Sequence, residues 1–107
     1  MINDSEVEKA LDFLRDNAEI AAKFRAERIY IEQFIKSKKA MIMANFLRLP
    51  ISAQEREAYK SDEYLELLNA LKIAVEKDEE QRFLMKAAEA KIEAWRTQNA
   101  NMRAMKL

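Results

Sequence analysis

This chain of 107 residues contains no glycine at all and a single proline, Pro50. Glycine supplies left-handed turn positions, tight hairpins and phosphate-cradling loops. A chain without it has little means of building sheets from hairpins or sites from loops. Histidine and cysteine are absent too, which removes the imidazole base, the thiolate nucleophile and the usual zinc ligands. What remains is half apolar and 36% charged, the composition of long helices. The expected fold is all-α: an antiparallel hairpin of two long, coiled-coil-like helices with short flanking helices, in one domain. Pairing of two such hairpins into a dimeric four-helix bundle would cover what one hairpin leaves exposed.

Nineteen basic residues balance nineteen acidic ones, so bulk charge announces neither nucleic acid nor a membrane surface. The start, Met1-Ile2-Asn3-Asp4-Ser5-Glu6, is polar and acidic, unlike a signal peptide. The longest apolar run covers residues 40–44, against the roughly 20 needed to span a bilayer. A cytoplasmic protein of a bacterial host, with no membrane partner, is the expectation. Asn3-Asp4-Ser5 formally matches a glycosylation acceptor, which has no meaning without export.

Locally the charge is segregated. Residues 1–19 hold six acids and two bases, and residues 20–48 hold seven bases and two acids. Residues 49–85 hold nine acids and five bases, and residues 86–107 hold five bases and two acids. Folded back near Pro50, each block meets one of opposite sign. Pairs of solvated charges are individually weak, but such a pattern selects register and disfavours wrong pairings. An antiparallel hairpin satisfies it, as does an antiparallel dimer.

Capping signals divide the helices. Ser5 with Glu8 and Asn3 with Glu6 are equally good capping boxes, the latter with Ile2 and Val7 as a staple. Asp16-Asn17-Ala18-Glu19 is a second start signal, so a short helix at about 5–15 breaks or kinks before a long one at about 17–47. Leu49-Pro50 ends that helix. Ser52 with Glu55 caps a short helix within about 48–61, and Ser61-Asp62 starts a long helix over about 62–102. At 1.5 Å per residue this last helix is a rod of roughly 60 Å. Its apolar positions Leu67, Leu71, Ala74, Met85, Ala88, Ile92, Trp95 and Met102 alternate by three and four.

That stripe is interrupted by Glu76-Lys77-Asp78-Glu79-Glu80-Gln81-Arg82. These residues form either a solvated stretch or a polar layer that meets Arg25 and Arg28 across the hairpin, with Arg28 near Gln81. A layer of that kind fixes register at a cost in stability. A metal site on Asp78 and the neighbouring glutamates is a third reading, but helical-bundle carboxylate sites usually add Glu-x-x-His pairs. No metal or cofactor is therefore expected. Residues 40–47 are apolar around nearly the whole helix. They read as a local core wrapped by Tyr59, Tyr64, Leu65 and Leu68, or as a docking surface with adaptable methionines.

Lys36-Ser37-Lys38-Lys39 is the densest basic run. It reads as a solvated face or as a phosphate-contacting strip made by Lys36, Lys38 and Lys39. Tyr30 and Phe34 are interleaved as base stacking would want, yet their position near the apolar stripe favours a place in the core. The tail from Trp95 to Leu107 loses its period and either frays or folds against a partner through Trp95, Met102 and Met105.

Several stretches resemble small helical proteins of tailed bacteriophages and prophages. They are Asp16–Glu19 through Phe24-Arg25-Ala26-Glu27-Arg28-Ile29-Tyr30-Ile31-Glu32, then Ser52-Ala53-Gln54-Glu55-Arg56-Glu57-Ala58-Tyr59, and Ala88-Glu89-Ala90-Lys91-Ile92-Glu93-Ala94-Trp95-Arg96. These are packing and capping motifs and carry no catalytic or binding residue over. The family's genes often lie among phage recombination and replication genes, so the resemblance implies an accessory role in phage DNA metabolism. The leading expectation is a non-enzymatic adaptor acting through protein contacts, self-associating as a homodimer and meeting a phage or host protein. The competing classes are a single-stranded DNA binder and an inhibitor of a host defence or repair enzyme. Three structural expectations follow: helix over at least about three-quarters of the chain and no sheet, Trp95 packed near Phe13 or Leu14, and a dimer.

Overall fold

The computed structural model describes residues 1–106; Leu107, the end of the tail discussed above, lies outside the described residues. Helix accounts for 92% of the chain, and no strand occurs among the described residues. The elements are α1 (Asp4–Met43), a single 3₁₀ turn (Ala44–Phe46), α2 (Ile51–Lys60) and α3 (Asp62–Lys106). The fold is all-α. No helix among the described residues is long and apolar enough to cross a membrane.

Of the two capping readings at the start, Asn3 with Glu6 is the one made. The Glu6 amide donates to Asn3 Oδ1 at 2.9 Å, and the Asn3 amide donates to Glu6 Oε2 at 3.3 Å. The expected break at 16–19 does not occur, and α1 is continuous from Asp4 to Met43. Asn17 Nδ2 donates to the Phe13 carbonyl at 3.0 Å, so the side chain bonds back to its own helix rather than capping a new one. Asp16 is paired with Arg15 at 3.0 Å. With neither side chain turned to a backbone amide, the alanines that follow simply propagate the helix.

α1 ends earlier than the expected residue 47. Leu49 is disfavoured from helical geometry by Pro50, and the chain tightens into the 3₁₀ turn, with the Leu49 amide donating to the Phe46 carbonyl at 2.9 Å. The Ser52–Glu55 capping box is not used. Pro50 itself stands at the cap position of α2, with no side-chain cap, and its carbonyl accepts from the Ala53 and Gln54 amides at 3.0 Å. Proline just ahead of the first turn is pre-organised for this role, which leaves Ser52 already inside the helix. Ser61 makes the expected restart: its Oγ accepts from the Tyr64 amide at 3.2 Å and donates to the Ala58 carbonyl at 2.8 Å. α3 then continues past the expected end at 102 to Lys106, with Arg103 and Lys106 in its last turn, where cations suit the helix dipole.

The chain divides into two compact units. The first joins Met1–Ala22 to the part of α3 from Glu79 onward. Here the acidic start lies antiparallel to the basic end. Gln98 brackets the Ile2 backbone: its Oε1 accepts from the Ile2 amide at 2.8 Å, and its Nε2 donates to the Ile2 carbonyl at 3.0 Å. Val7, Ala10 and Ala88 are buried, and Phe13, Leu14, Met85 and Ile92 are half-buried. Trp95 stands at the level of Asp4, donating Nε1–H to Asp4 Oδ1 at 3.0 Å. That is nine residues, or about 13 Å of helix rise, from the expected level of Phe13, which lies beside Leu84 and Ala87 instead. Three-four spacing is nearly satisfied again after every turn or two, so periodicity alone leaves several registers open. The small Ala10–Ala88 seam and the Gln98 and Trp95 hydrogen bonds choose among them.

The second unit, Lys23–Asp78, contains the turn and is itself a helical hairpin. Its core is Ile31, Ile42, Ala58 and Ala74. The basic block of α1 meets the acidic block as the charge pattern requires: Arg28 with Asp78 at 3.2 Å, Lys38 with Glu63 at 2.8 Å and Lys39 with Glu55 at 3.9 Å. Residues 40–47 are not the enclosed core that their composition suggests. Ile42 is buried and Met43 and Phe46 are half-buried, but Met41 and Leu47 are exposed, as are Tyr59, Leu65 and Leu68. α2 packs onto the 3₁₀ turn. Tyr59 and Tyr64 meet each other edge to face at 5.4 Å between ring centres.

Candidate functional site

The lysine run lies on the last turns of α1. Lys36 is exposed, whereas Lys38 is held by Glu63 at 2.8 Å. Lys39 Nζ donates to Tyr59 Oη at 2.6 Å and sits 3.9 Å from Glu55. The Lys39 ammonium is raised above its ordinary pKa, first by the hydrogen bond to Tyr59 and then by the Coulomb attraction of Tyr59 and Glu55, with desolvation acting the other way. Two of the three lysines thus spend their charge on the protein's own acids and phenol. Upstream, Tyr30 is not in the core: it is 63% exposed and stacks on Phe34, with 5.9 Å between ring centres and 9° between planes.

The polar interruption of α3 is partly turned inward. In the second unit Arg28 reaches Asp78 of the interruption at 3.2 Å, while its Nε donates to Glu32 at 3.0 Å. Arg28 is 29% exposed and Asp78 14%, so the pair is largely shielded from water, and Arg25 is exposed. In the first unit Gln81 is 8% exposed and its Nε2 has no hydrogen-bond partner. The polar layer therefore exists, made by Arg28 and Asp78 and, separately, by Gln81. Asp78 faces a guanidinium, and among the described residues no group of three acids gathers to hold a metal ion.

The three tail residues occupy one end of α3. Trp95 and Met102 line a shallow concavity together with Arg96, Asn99 and Arg103. Spacings of four and three put Trp95, Asn99 and Met102 on one stripe. Trp95 is half-buried with its N–H committed to Asp4. Met102 is exposed, and Met105, 86% exposed, stands outside the residues lining the concavity.

A second groove escapes a reading of the main apolar stripe. Lys9, Ala10 and Phe13 of α1 line it with Leu84, Ala87, Ala88 and Lys91 of α3. Its signal in the sequence is a secondary spacing of four and three that runs beside the buried one. Comparison with protein-family models, with curated proteins and with solved structures finds no match.

Proposed function

We propose that this chain is a non-enzymatic phage accessory protein that works as an adaptor, holding a protein of phage DNA recombination or replication against a helix face. What supports the reading is the exposed end of α3. Beyond Gln98, which brackets Ile2, α3 runs on to Lys106. Met102 and Met105 are exposed there among Arg96, Arg103 and Lys106. Methionine adapts to irregular apolar surfaces, and an amphipathic helix end docks into a groove through anchors at helical spacing. The partner that fits is a protein with an apolar groove rimmed by acids.

The test is affinity capture with the tagged chain from lysate of phage-infected bacteria, with and without nuclease. One protein partner should be retained in both conditions and lost with Met102→Glu/Met105→Glu, whose helicity by circular dichroism stays unchanged. Capture that disappears with nuclease, or a partner indifferent to the two substitutions, refutes the adaptor.

One observation favours a second reading, a single-stranded DNA binder: the exposed Tyr30 stacked on Phe34 near the exposed Lys36. The engagement of Lys38 and Lys39 by Glu63, Glu55 and Tyr59 weighs against it, because neighbouring acids repel the phosphates that lysines attract. The adaptor expects negligible oligonucleotide affinity at physiological salt. Binding that falls steeply with salt and is lost in Lys36→Glu/Lys38→Glu/Lys39→Glu would reverse that preference.

A further inference from the structure

Two stripes of the first unit have the same spacing. On α1, Lys9, Phe13, Asp16 and Ile20 follow at i, i+4, i+7 and i+11, which places them on one helix face. On α3, Glu80, Leu84, Ala87 and Lys91 repeat that spacing. Because the helices are antiparallel, the stripes run side by side in opposite senses. Lys9 and Lys91 share one end of a groove floored by Ala10 and Ala88, with Phe13, Leu84 and Ala87 between them and the other end. Asp16 and Glu80 continue their stripes toward that other end. Arg15 there is shared by Asp12 and Asp16, at 3.2 and 3.0 Å, so this end stays net acidic. Ile20 and Leu84 are exposed and Phe13 is half-buried.

The face is thus basic at one end, apolar in the middle and acidic at the other end. Two lysines beside one apolar groove repel each other and leave its floor wet, and both costs fall when an apolar surface carrying acids covers the groove. We propose that the occupant is a second copy of this chain, docked by the same face about a two-fold axis that lies in the interface, crosses the helices at right angles and passes near Phe13 and Leu84. That axis sets the Lys9 and Lys91 end of one copy on the Asp16 and Glu80 end of the other, twice over. Phe13 and Leu84 then meet their counterparts in the middle. A parallel arrangement would stack lysines on lysines, so charge selects the isologous antiparallel pair. Two helices from each copy form a four-helix layer. The inference rests on reading the chain as a protein-contact module, and it concerns a different surface from the end of α3.

Sedimentation equilibrium of the full chain at low salt and micromolar concentration tests it. The unmodified chain should dimerise. Lys9→Glu/Lys91→Glu makes both ends acidic, Asp16→Lys/Glu80→Lys makes both ends basic, and each alone should dimerise at least about tenfold more weakly. An equimolar mixture of the two should recover the dimer, because every end then meets its opposite. Should either variant lose helicity, Lys9→Gln/Lys91→Gln, which removes charge without reversing it, should weaken the dimer in a salt-dependent way. A monomeric unmodified chain, reversals that leave the dimer intact, a mixture that stays monomeric, or a glutamine variant as tight as the parent each overturns the interface. None of these outcomes bears on partner capture by Met102 and Met105, so the two proposals fail separately.

Discussion

Replacing Gln81 by methionine should make this protein more stable, against the usual direction of a core substitution. Gln81 is 8% exposed and its amide nitrogen has no partner. A buried donor left unpaired costs about 1–3 kcal/mol in desolvation. Methionine has nearly the same length and shape and a similar helix propensity, so Gln81→Met removes that cost with little change in volume. The expected gain is about 1–3 kcal/mol, a rise in Tm of at least about 4 °C for a chain of this size. Gln81→Glu, which buries a charge in the same place, should lower Tm. Thermal unfolding followed by far-UV circular dichroism at one fixed protein concentration measures both, since self-association makes Tm concentration-dependent. A neutral or destabilising Gln81→Met would mean that the amide is satisfied in solution and that the polar layer contributes stability rather than costing it.

Arg28 and Asp78 should respond asymmetrically to urea denaturation. Arg28→Met strands a carboxylate that is 14% exposed and should cost about 2–3 kcal/mol, whereas Asp78→Asn leaves Arg28 with Glu32 and should cost about 1 kcal/mol. Equal losses would contradict the geometry. Asn17→Ala separates a continuous α1 from a broken one: an interior position gains about 0.5 kcal/mol in propensity, while a cap would lose about 1 kcal/mol. Because the folded pKa of Lys39 is raised, its contribution is fully present below the unfolded pKa and lost as pH rises through the folded value. The alkaline limb of the stability profile, above the ordinary 10.5, should therefore flatten in Lys39→Met, and an unchanged limb would remove Lys39 from that titration.

The fold was legible because its main determinants are local or coarse. Missing glycine, the cap at Ser61 and the alternation of charge blocks all survive without knowledge of packing, and they give the helical class, the turn and the antiparallel sense. Register was not legible. Trp95 opposite Asp4 rather than Phe13 depends on which alanines meet in the seam, and a repeat of three and four looks almost the same after a shift of a turn or two. Caps failed where two devices competed: Pro50 pre-empted Ser52, and Asn17 turned to the Phe13 carbonyl. The cluster at 40–47 is less buried than its composition suggests, because composition states what prefers burial, not whether α2 has enough surface to provide it. Of the site residues, Lys36, Lys38 and Lys39 stood out by density alone, and only geometry shows Glu63 and Tyr59 holding two of them. The groove of Lys9 and Lys91 was hidden because its signal lies beside the dominant apolar stripe.

The alanines that set the register also limit what the register can contribute. Of the seven buried apolar residues among those described, four are alanines, Ala10, Ala58, Ala74 and Ala88. An alanine seam brings helices close but removes little apolar area from water, and stabilisation follows that area at roughly 25 cal/mol per Å². Larger side chains such as Leu11, Ile20, Ile29, Leu84 and Phe83 remain exposed. A small chain arranged this way has more to gain from covering a second face than from improving its first. For an adaptor the consequence is linkage: whatever binds the folded form, a second copy or a partner, stabilises it by mass action. Tm should then rise with protein concentration in the unmodified chain, and this rise should vanish in Lys9→Glu/Lys91→Glu while the helix content at low temperature stays the same. A Tm independent of concentration in both would mean that the alanine seam suffices alone and that covering a second face adds no stability.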